Sequence, residues 1–334
     1  MPKPQDQQLI GDSPAFLEVL EHVSRVAPLN RPVLVIGERG TGKELIAARI
    51  HFLSGRWDHP FVKMNCAALT ESLLETELFG HEAGSFTGAA KRRLGRFEIA
   101  NQGSLFLDEL SSTSSGVQEK ILRVIEYGEF ERVGGNETIR TNVRIIGAAN
   151  EDLPALALAG KFRADLLDRL AFDVITLPPL RERPHDIMTL ADHFAIKMSV
   201  ELGKDVFNGW SEQARQSLQS YNWPGNVREL KNVVERVVYT CMNDDEPITE
   251  ILFDPFDSPW RPGAASEHKP AEVSPLPDKP YEFKQCMADE EIRRLKSALE
   301  YCRFNQKKTA KFLGMTYHQL RGYLRKYELT DDET

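Results

Sequence analysis

The sequence has few cysteines and no long apolar segment. Its four cysteines are Cys66, Cys241, Cys286 and Cys302, and no pair has CxxC spacing or an accompanying histidine cluster, which argues against a zinc site. Scattered thiols of this kind are typical of a reducing, cytosolic compartment. No apolar run approaches the roughly 18 residues of a membrane span, and residues 1–14 lack the apolar core of a signal peptide. We therefore expect a cytoplasmic protein that is not inserted in a membrane.

The chain also lacks an excess of basic charge. Its formal net charge is -8, so total charge does not steer it to nucleic acid, and any DNA contact needs a local basic patch. The 334 residues, 41% of them hydrophobic, are enough for one large core or two moderate cores. The composition therefore predicts a globular protein of two domains.

Short apolar runs alternate with helical patterns in the first half of the chain. The runs are residues 33–37, 61–66, 104–109, 143–150 and 172–177. They are bounded by turn residues, as buried strands are. The alternation predicts an α/β fold with a parallel sheet.

The rest of the chain is helical apart from one stretch rich in Pro, Ser, Ala and charge, residues 258–280, which is typical of a flexible linker. We expect an α/β subdomain at 1–180, a helical subdomain at 181–257, a linker at 258–284 and a small all-α domain at 285–334.

The segment GERGTGKE follows the first apolar run and opens a predicted helix. Its glycines let backbone N–H groups converge on phosphate oxygens, Lys43 can reach the β- and γ-phosphates, and a helix N-terminus favours an anion. A Gly-rich turn that binds nothing would share the composition, but the strand–loop–helix context favours a P-loop. The predicted nucleotide contacts are Gly37, Glu38, Arg39, Gly40, Thr41, Gly42, Lys43 and Glu44, where Glu44 replaces the usual Ser or Thr.

Two carboxylates end the strand in GSLFLDEL. An apolar run followed by Asp-Glu is usually only a strand end, but ligands of parallel sheets bind at this edge, and a P-loop precedes it in the sequence. We predict that Asp108 holds Mg²⁺ and that Glu109 orients and deprotonates the attacking water. The reaction predicted is hydrolysis of a nucleoside triphosphate.

The segment GSFTGA places Phe86 between glycines, which favour an exposed turn, although phenylalanine favours burial. Either the ring packs onto the core or it serves as an exposed contact, and the segment alone leaves both open.

Residues 305–327 predict a helix, a turn at Gly314 and a second helix that starts at Thr316. The stretch from Arg303 to Tyr327 contains no Asp or Glu, so it forms a local basic face. A solvated helical hairpin is the alternative. The predicted DNA contacts are Lys307, Lys308 and Lys311 on the first helix, and Thr316, Tyr317, His318, Gln319, Arg321 and Arg325 with the second.

Together with FRADLLDRL and WPGNVRELKN, these motifs resemble the AAA+ domain of bacterial enhancer-binding proteins, which activate sigma-54 RNA polymerase. The resemblance covers essentially the whole chain. FERVGG and Trp57 are most similar to the phage-shock type of the family. The resemblance implies an AAA+ sheet with a helical lid, a Fis-type helix-turn-helix, ATP and Mg²⁺ as cofactors, a hexameric ring, a dimer through the DNA-binding domain, and binding to enhancer DNA upstream of phage shock operon promoters.

The resemblance also implies roles for single residues. Arg163 and Arg169 match arginine fingers that reach a neighbour's nucleotide, although surface arginines of a helix would look the same. Arg228 matches the sensor II arginine and Asn150 the sensor I asparagine, which here follows Ala149 rather than Thr. Asn65 matches a residue that holds the catalytic glutamate, or else is a satisfied polar strand end.

The family form of the loop is GAFTGA, whose tip contacts sigma-54, so the implied contact residues are Gly84, Ser85, Phe86, Thr87, Gly88 and Ala89, with Ser85 in place of alanine. The chain begins close to the ATPase motifs, so we expect control by an inhibitory protein of the PspA type at Trp57, unless that indole packs on its own domain. The rival functions are a DNA-dependent AAA+ motor, such as a helicase loader or replication initiator, and a passive repressor with a degenerate ATPase.

Overall fold

The computed structural model describes residues 9–86, 89, 91–204, 206–241, 246–256, 261, 283–302, 304–327 and 329. The chain divides into two units, Met1–Pro255 and Phe256–Thr334. Most of the predicted linker, residues 258–284, lies outside the described part.

The elements of the first unit are α1 (Pro14–Val26), β1 (Val33–Ile36), α2 (Lys43–Phe52), β2 (Phe61–Asn65), α3 (Glu71–Phe79), β3 (Gly80–His81), β4 (Arg93–Leu94), α4 (Arg96–Ile99), β5 (Ser104–Asp108), α5 (Ser115–Tyr127), β6 (Glu129–Glu131), β7 (Thr138–Arg140), β8 (Arg144–Ala149), α6 (Leu153–Leu158), α7 (Ala164–Leu170), β9 (Val174–Thr176), α8 (Pro184–Glu201), α9 (Glu212–Ser220) and α10 (Asn226–Thr240).

A parallel five-stranded sheet with the order β2-β5-β8-β1-β9 forms the centre of the unit. The parallel α/β fold is therefore confirmed. Every predicted apolar run contains one of these strands, because strands covered on both faces are apolar along their length. In the run at 172–177 the strand begins only at Val174. Phe172 is exposed, and the carboxylate of Asp173 contacts Nε2 of His22 at 2.9 Å.

Alternate side chains of the strands pack on opposite faces of the sheet. Val33, Val35 and Phe106 pack with α1 and α2 in one cluster, through residues such as Phe16 and Ile50. Leu34, Leu105 and Leu107 pack on the other face with α3, α5 and α7. The sheet therefore has a buried core on each side, and its carboxyl edge remains available for a ligand.

The helices α8, α9 and α10 form a lid with its own core around Trp210 and Trp223. The Pro-Gly break falls between α9 and α10, where Trp223 and Asn226 both have positive φ, 48° and 52°. The indole N–H of Trp223 donates to the carbonyl of Leu218 at 2.8 Å, which satisfies a polar group that is fully buried.

The second unit contains α11 (Phe283–Tyr301), α12 (Gln306–Phe312) and α13 (Tyr317–Lys326). Their shared core consists of Leu295, Leu299, Ala310, Leu320 and Leu324. The predicted helix-turn-helix is therefore present, with Gly314 at φ 66° in the turn. Within the described residues, no helix is both long enough and apolar enough to span a bilayer.

Candidate functional site

The segment between β1 and α2 has the backbone of a phosphate-binding loop. Gly40 and Gly42 adopt φ values of 79° and 100°, which favour glycine over other residues. A Cβ on Gly40 would lie 2.2 Å from the carbonyl oxygen of Gly225, so the loop also packs tightly against the start of α10. The N-terminus of α2 therefore opens directly into the space between the sheet and the lid.

Lys43 folds back onto its own loop. Its ammonium donates to the carbonyl oxygens of Gly37, at 2.8 Å, and Glu38, at 3.1 Å. Burial lowers the pKa of Lys43, and the charges of Asp108 and Glu109 partly oppose this shift. The ammonium therefore has two weak neutral partners, which an anionic phosphate could replace.

Asp108 and Glu109 stand at the carboxyl end of β5, next to Lys43. The N–H of Glu109 donates to Asp108 Oδ1 at 3.0 Å. Burial raises the pKa of Asp108, and the hydrogen bond from Glu109 and the charge of Lys43 partly oppose this. Glu109 itself adopts a left-handed conformation, φ 53° and ψ 45°, which breaks the strand.

A cavity of about 450 Å³ joins the loop, the sheet edge and the lid. Its cationic residues are Lys43, Arg183, Arg228, Lys197 and Lys231, and its apolar lining includes Leu9, Ile10, Phe16, Leu190, Phe194 and Val227. Asp108 also lines it, so the structure brings the predicted Lys43, Asp108 and Arg228 together. A volume with charged and apolar walls suits a nucleotide, which has a phosphate chain and an aromatic base.

The lid clamps the phosphate loop through contacts that the motifs did not reveal. Arg181 donates to both carboxylate oxygens of Glu38, at 2.7 and 3.0 Å. The buried amide of Asn226 donates to Glu38 Oε2, at 3.1 Å, and to the carbonyl of Arg39, at 3.0 Å. The hydrogen bonds from Arg181 and Asn226 lower the pKa of Glu38. Asn226 lies within WPGNVRELKN, but no role was predicted for it from the sequence, and only the structure shows its contacts and its φ of 52°.

The remaining predicted contacts lie around the same edge of the sheet. Glu44 pairs with Lys63 on β2 at 2.8 Å, so it is turned toward the neighbouring strand. Asn150 follows β8 beside Gly37, because Ile36 pairs with Ala149. Asn65 lies opposite Asp108, but its amide oxygen accepts from the N–H groups of Ala67 and Ala68. A contact between Asn65 and Glu109 therefore stays a prediction.

The two arginines of FRADLLDRL lie at opposite ends of α7 and bind carboxylates of their own chain. Arg163 contacts Asp165 at 2.7 Å and Glu119 at 3.8 Å. Arg169 is exposed and contacts Glu126 on α5 at 2.9 Å. In the described part of the chain, neither arginine is among the residues that line the cavity around Lys43. A contact of Arg163 or Arg169 with the nucleotide of a neighbouring copy therefore stays a prediction.

The segment GSFTGA follows β3 and begins at Gly84. Gly84 has φ 83°, and the ring of Phe86 is 44% exposed, with an edge contact to His81 at 5.0 Å between ring centroids. The ring is therefore not core. Ala89 is buried, whereas Thr87 and Gly88 lie outside the described residues. The hydroxyl of Ser85 is buried without a partner among the described residues, and a Cβ on Gly134 would lie only 2.4 Å from Ser85 Cβ.

The base of this loop is anchored by Arg132, the arginine of FERVGG, for which no role was predicted. Its guanidinium is buried and binds Glu98, with one contact at 3.0 Å, and Glu82 at 2.8 Å. Glu82 stands two residues before Gly84. The segment around Arg132 also pairs with the loop base through backbone hydrogen bonds at Gly80 and Glu82. Because a buried arginine must stay paired, the loop base is a well-defined platform.

Trp57 is 64% exposed in the loop after α2. The neighbouring Arg56 fixes the loop, since it donates to Asn30 at 3.0 Å, to the carbonyl of Gly103 at 3.0 Å and to Asn142 at 2.6 and 2.8 Å. The indole of Trp57 is therefore not packed on its own domain, and binding of an inhibitory protein there stays a prediction. A fixed backbone presents the ring to the solvent.

In the second unit, Tyr317 is half-buried, and the other eight predicted DNA-contacting side chains are exposed: Lys307, Lys308, Lys311, Thr316, His318, Gln319, Arg321 and Arg325. Arg321 lies over the ring of Tyr317, 5.9 Å from its centroid. Thr316 and Gln319 form a capping box at the start of α13, so their oxygens already have partners. Thr316 and Gln319 therefore stabilise the start of α13, the helix that carries the other predicted base contacts.

Comparisons with known proteins identify the domains that contain these residues. Residues 9–176 match the family described as Sigma-54 interaction domain, residues 181–262 match AAA+ ATPase lid domain, and residues 287–327 match Bacterial regulatory protein, Fis family. The Psp operon transcriptional activator of Escherichia coli (strain K12) is 54% identical over 321 residues, which are 96% of this chain and 98% of that protein.

More distant relatives are longer. The Nif-specific regulatory protein of Azotobacter vinelandii is 46% identical over 318 residues, 94% of this chain and 58% of that protein. The crystal structure of NtrX from Brucella abortus in complex with ATP has a TM-score of 0.70 and 32% identity, over 96% of this chain and 70% of that chain. With matched domains along nearly its whole length, this chain belongs to the family of sigma-54-dependent transcriptional activators and carries an AAA+ ATPase domain.

Proposed function

We propose that this activator binds enhancer DNA upstream of phage shock operon promoters, assembles as a hexameric ring, and uses ATP hydrolysis to remodel the closed complex of sigma-54 RNA polymerase. The observation that carries the proposal is Phe86, an exposed ring on a loop of the sigma-54 interaction domain, in the same unit as the cavity around Lys43. The choice of promoter is supported by the 54% identity to the Escherichia coli relative.

In the proposed reaction, Lys43 leaves the carbonyls of Gly37 and Glu38 and binds the β- and γ-phosphates. Glu109 orients the attacking water and accepts its proton. Mg²⁺ would be held at Asp108, because this carboxylate ends β5, lines the cavity beside Lys43 and is the oxygen ligand that a hard cation prefers. When bound, Mg²⁺ would neutralise charge on the phosphate oxygens. Arg228, which lines the same cavity, contacts the γ-phosphate from the lid.

In the proposed hexamer, each nucleotide site is completed by residues of the neighbouring subunit. Arg163 and Arg169 leave Asp165 and Glu126 and contact the nucleotide of the adjacent subunit, where they stabilise the charge of the transition state. Exposed ion pairs of this kind are worth little, so the competing phosphate can displace the carboxylates. Before nucleotide binds, Asn65 holds Glu109 away from the reaction.

The DNA-binding unit works as a dimer that pairs through α11. Lys307, Lys308 and Lys311 contact phosphates and fix the register on the duplex, whereas Tyr317, His318 and Arg321 contact base edges. Two copies then read two half-sites. A partner of the PspA type, an inhibitory protein, binds the surface that carries Trp57 and restrains the ATPase.

The experiment is the isomerisation of sigma-54 closed complexes by the purified protein, with and without ATP. We expect isomerisation only with ATP, and loss of it in Phe86→Ala with ATPase activity retained. Tyr239→Ala, which removes an exposed ring from α10 of the lid, is the matched control and should isomerise normally. A helicase loader or replication initiator would hydrolyse ATP without isomerising these complexes, and a passive repressor would not hydrolyse it.

A further inference from the structure

The carboxylate of Asp186, on the first turn of α8, ties the start of the chain to the lid. The side chain is fully buried. Its Oδ1 accepts from the backbone N–H groups of Asp12, at 2.8 Å, and Ser13, at 2.9 Å, and its Oδ2 accepts from the hydroxyl of Ser13, at 2.8 Å. Three hydrogen bonds from one short segment thus end on a single charged group of the lid, and bonds to a charged acceptor are the stronger kind.

Arg183 completes the contact from the other side. Its side chain is 2% exposed, its Nη1 lies 3.7 Å from Asp186 Oδ2, and its guanidinium lies 5.0 Å from the ring centroid of Phe16. Its Nη2 points to the carbonyl of Thr41 in the phosphate loop, at 3.4 Å. The Nε atom is buried and has no partner among the described residues, although the side chain lines the cavity. The lid, the phosphate loop and the N-terminal segment therefore meet at this pair.

Gly11 shows how closely the segment is fitted. Its φ of 145° is unfavourable for other residues, and a Cβ there would lie 2.7 Å from the ring of Phe16 and 2.8 Å from Asp186 Oδ2. A side chain at this position would push the segment off Asp186. The segment is thus held by a defined geometry and not by general apolar contact.

Residues 9 and 10, just before this tether, line the nucleotide cavity. Leu9 and Ile10 face it together with Leu190 and Phe194 of α8. The cationic residues of the cavity are Lys43 of the phosphate loop, Arg228 and Lys231 of α10, and Arg183 and Lys197 at the start and near the end of α8. The apolar side chains suit an aromatic base, and the cationic side chains suit phosphates. The hydrogen bonds of Asp186 to residues 12 and 13 therefore fix the position of residues 9 and 10 at the cavity.

We propose that Asp186 and Arg183 are positioning residues that hold residues 9–13 as the wall over the base of the bound nucleotide. The proposal rests on the proposed nucleotide site at Lys43. Asp186 supplies the acceptor, and Arg183 keeps its buried charge compensated, since an unpaired buried charge is strongly destabilising. The pair contributes to the binding of the base and not to the binding of the phosphates.

The test compares two ligands, ATP and inorganic triphosphate, by calorimetric titration of the full chain. We expect Asp186→Asn to weaken ATP binding by about 10-fold, as for the loss of a charge-assisted hydrogen bond, and to leave triphosphate binding within about 2-fold. Ser13→Ala removes only one hydrogen bond, because the Ser13 side chain does not cap α1, and should weaken ATP binding by about 5-fold. The matched control is Asp192→Asn, which alters a carboxylate of the same helix that accepts from Trp210 in the lid, and should bind both ligands normally.

The outcomes separate the two proposals. If Lys43→Ala still binds both ligands like the wild type, the nucleotide site itself is wrong. If Lys43→Ala loses both ligands, but Asp186→Asn and Ser13→Ala bind ATP like the wild type, the positioning role is wrong. Equal losses of ATP and triphosphate would also overturn it, because they indicate general damage to the fold. Should Asp186→Asn fail to fold, the ratio of the two affinities in Ser13→Ala decides the question.

Discussion

The amide of Asn226 donates to the carboxylate of Glu38 at 3.1 Å, so the first residue of α10 in the lid holds the second residue of the phosphate loop. The same amide reaches the carbonyl of Arg39, and its oxygen accepts from the N–H of Leu180 at 2.8 Å. One buried side chain thus connects the loop with two parts of the lid. The orientation of the lid and the shape of the phosphate loop are therefore coupled.

Asn226→Asp is expected to open this clamp. The substitution keeps the shape of the side chain but places a buried second carboxylate within hydrogen-bond distance of Glu38, and two like charges that close repel. We expect KM for ATP to rise by about 10-fold, which corresponds to roughly 1.4 kcal/mol. Steady-state ATPase assays at rising ATP concentrations measure the change.

The control is the double variant Asn226→Asp with Glu38→Gln. It restores one donor and one acceptor between the two positions, so KM should recover most of the way. Asn226→Gly tests the backbone alone, since glycine accepts a φ of 52° and has no amide. If the double variant is no better than Asn226→Asp, repulsion at Glu38 is not the cause of the effect.

The sequence predicted the elements of the sheet and the residues at its edge because both depend on local patterns. Apolar runs mark buried strands wherever they occur, and a P-loop is contiguous in the chain. Asp108 joins Lys43 because the carboxyl ends of β1 and β5 lie at the same edge of a parallel sheet.

Contacts between distant parts of the chain were not predictable in this way. Asn226 and Glu38 are 188 residues apart, and Asp186 binds Ser13 across 173 residues. The contacts of Arg132 with Glu82 and Glu98 are likewise visible only in the structure. No period or spacing records such pairs, because they depend on how the lid and the loops pack on the sheet.

Glu109→Gln is expected to bind ATP normally and to lose turnover. The amide keeps the size of the side chain but cannot accept a proton from water, and removal of a general base costs about 10²-fold or more in rate. Single-turnover hydrolysis and ATP titration of the same preparation measure the two properties. Near wild-type hydrolysis would show that another group accepts the proton.

Hydrolysis is expected to require assembly. Arg169→Ala alone should lower the ATPase rate by about 10³-fold if the arginine acts on the neighbour's nucleotide. Specific activity of the wild type should rise with protein concentration. Mixing Arg169→Ala with Lys43→Ala subunits should restore part of the activity, because some mixed interfaces carry an intact lysine and an intact arginine. If mixed rings form and no ratio of subunits restores activity, the arginine does not act in trans.

Two substitutions in the DNA-binding unit are expected to distinguish contacts with bases from contacts with phosphates. Arg321→Ala is expected to cost about 1–3 kcal/mol on the specific site and to relax base preference, as for a lost bidentate base contact. Lys307→Ala should weaken all sequences alike and reduce the slope of log affinity against log salt by about 1. Titrations on specific and random duplexes at several salt concentrations distinguish the two. An equal loss on both duplexes for Arg321→Ala would exclude base reading.

Trp57→Ala is expected to keep the basal ATPase activity and to lose inhibition by a partner of the PspA type. The indole is 64% exposed and Arg56 anchors its loop, so truncation should not disturb the fold. Aromatic anchors at interfaces commonly contribute about 2 kcal/mol or more, which predicts at least a roughly 30-fold weaker inhibition. ATPase assays with rising partner concentration measure it, and Tyr239→Ala, which removes an exposed ring from the lid, should be inhibited like the wild type. If Trp57→Ala is inhibited at the same partner concentration as the wild type, the inhibitor binds another surface, because loss of a central aromatic contact could not leave the affinity unchanged.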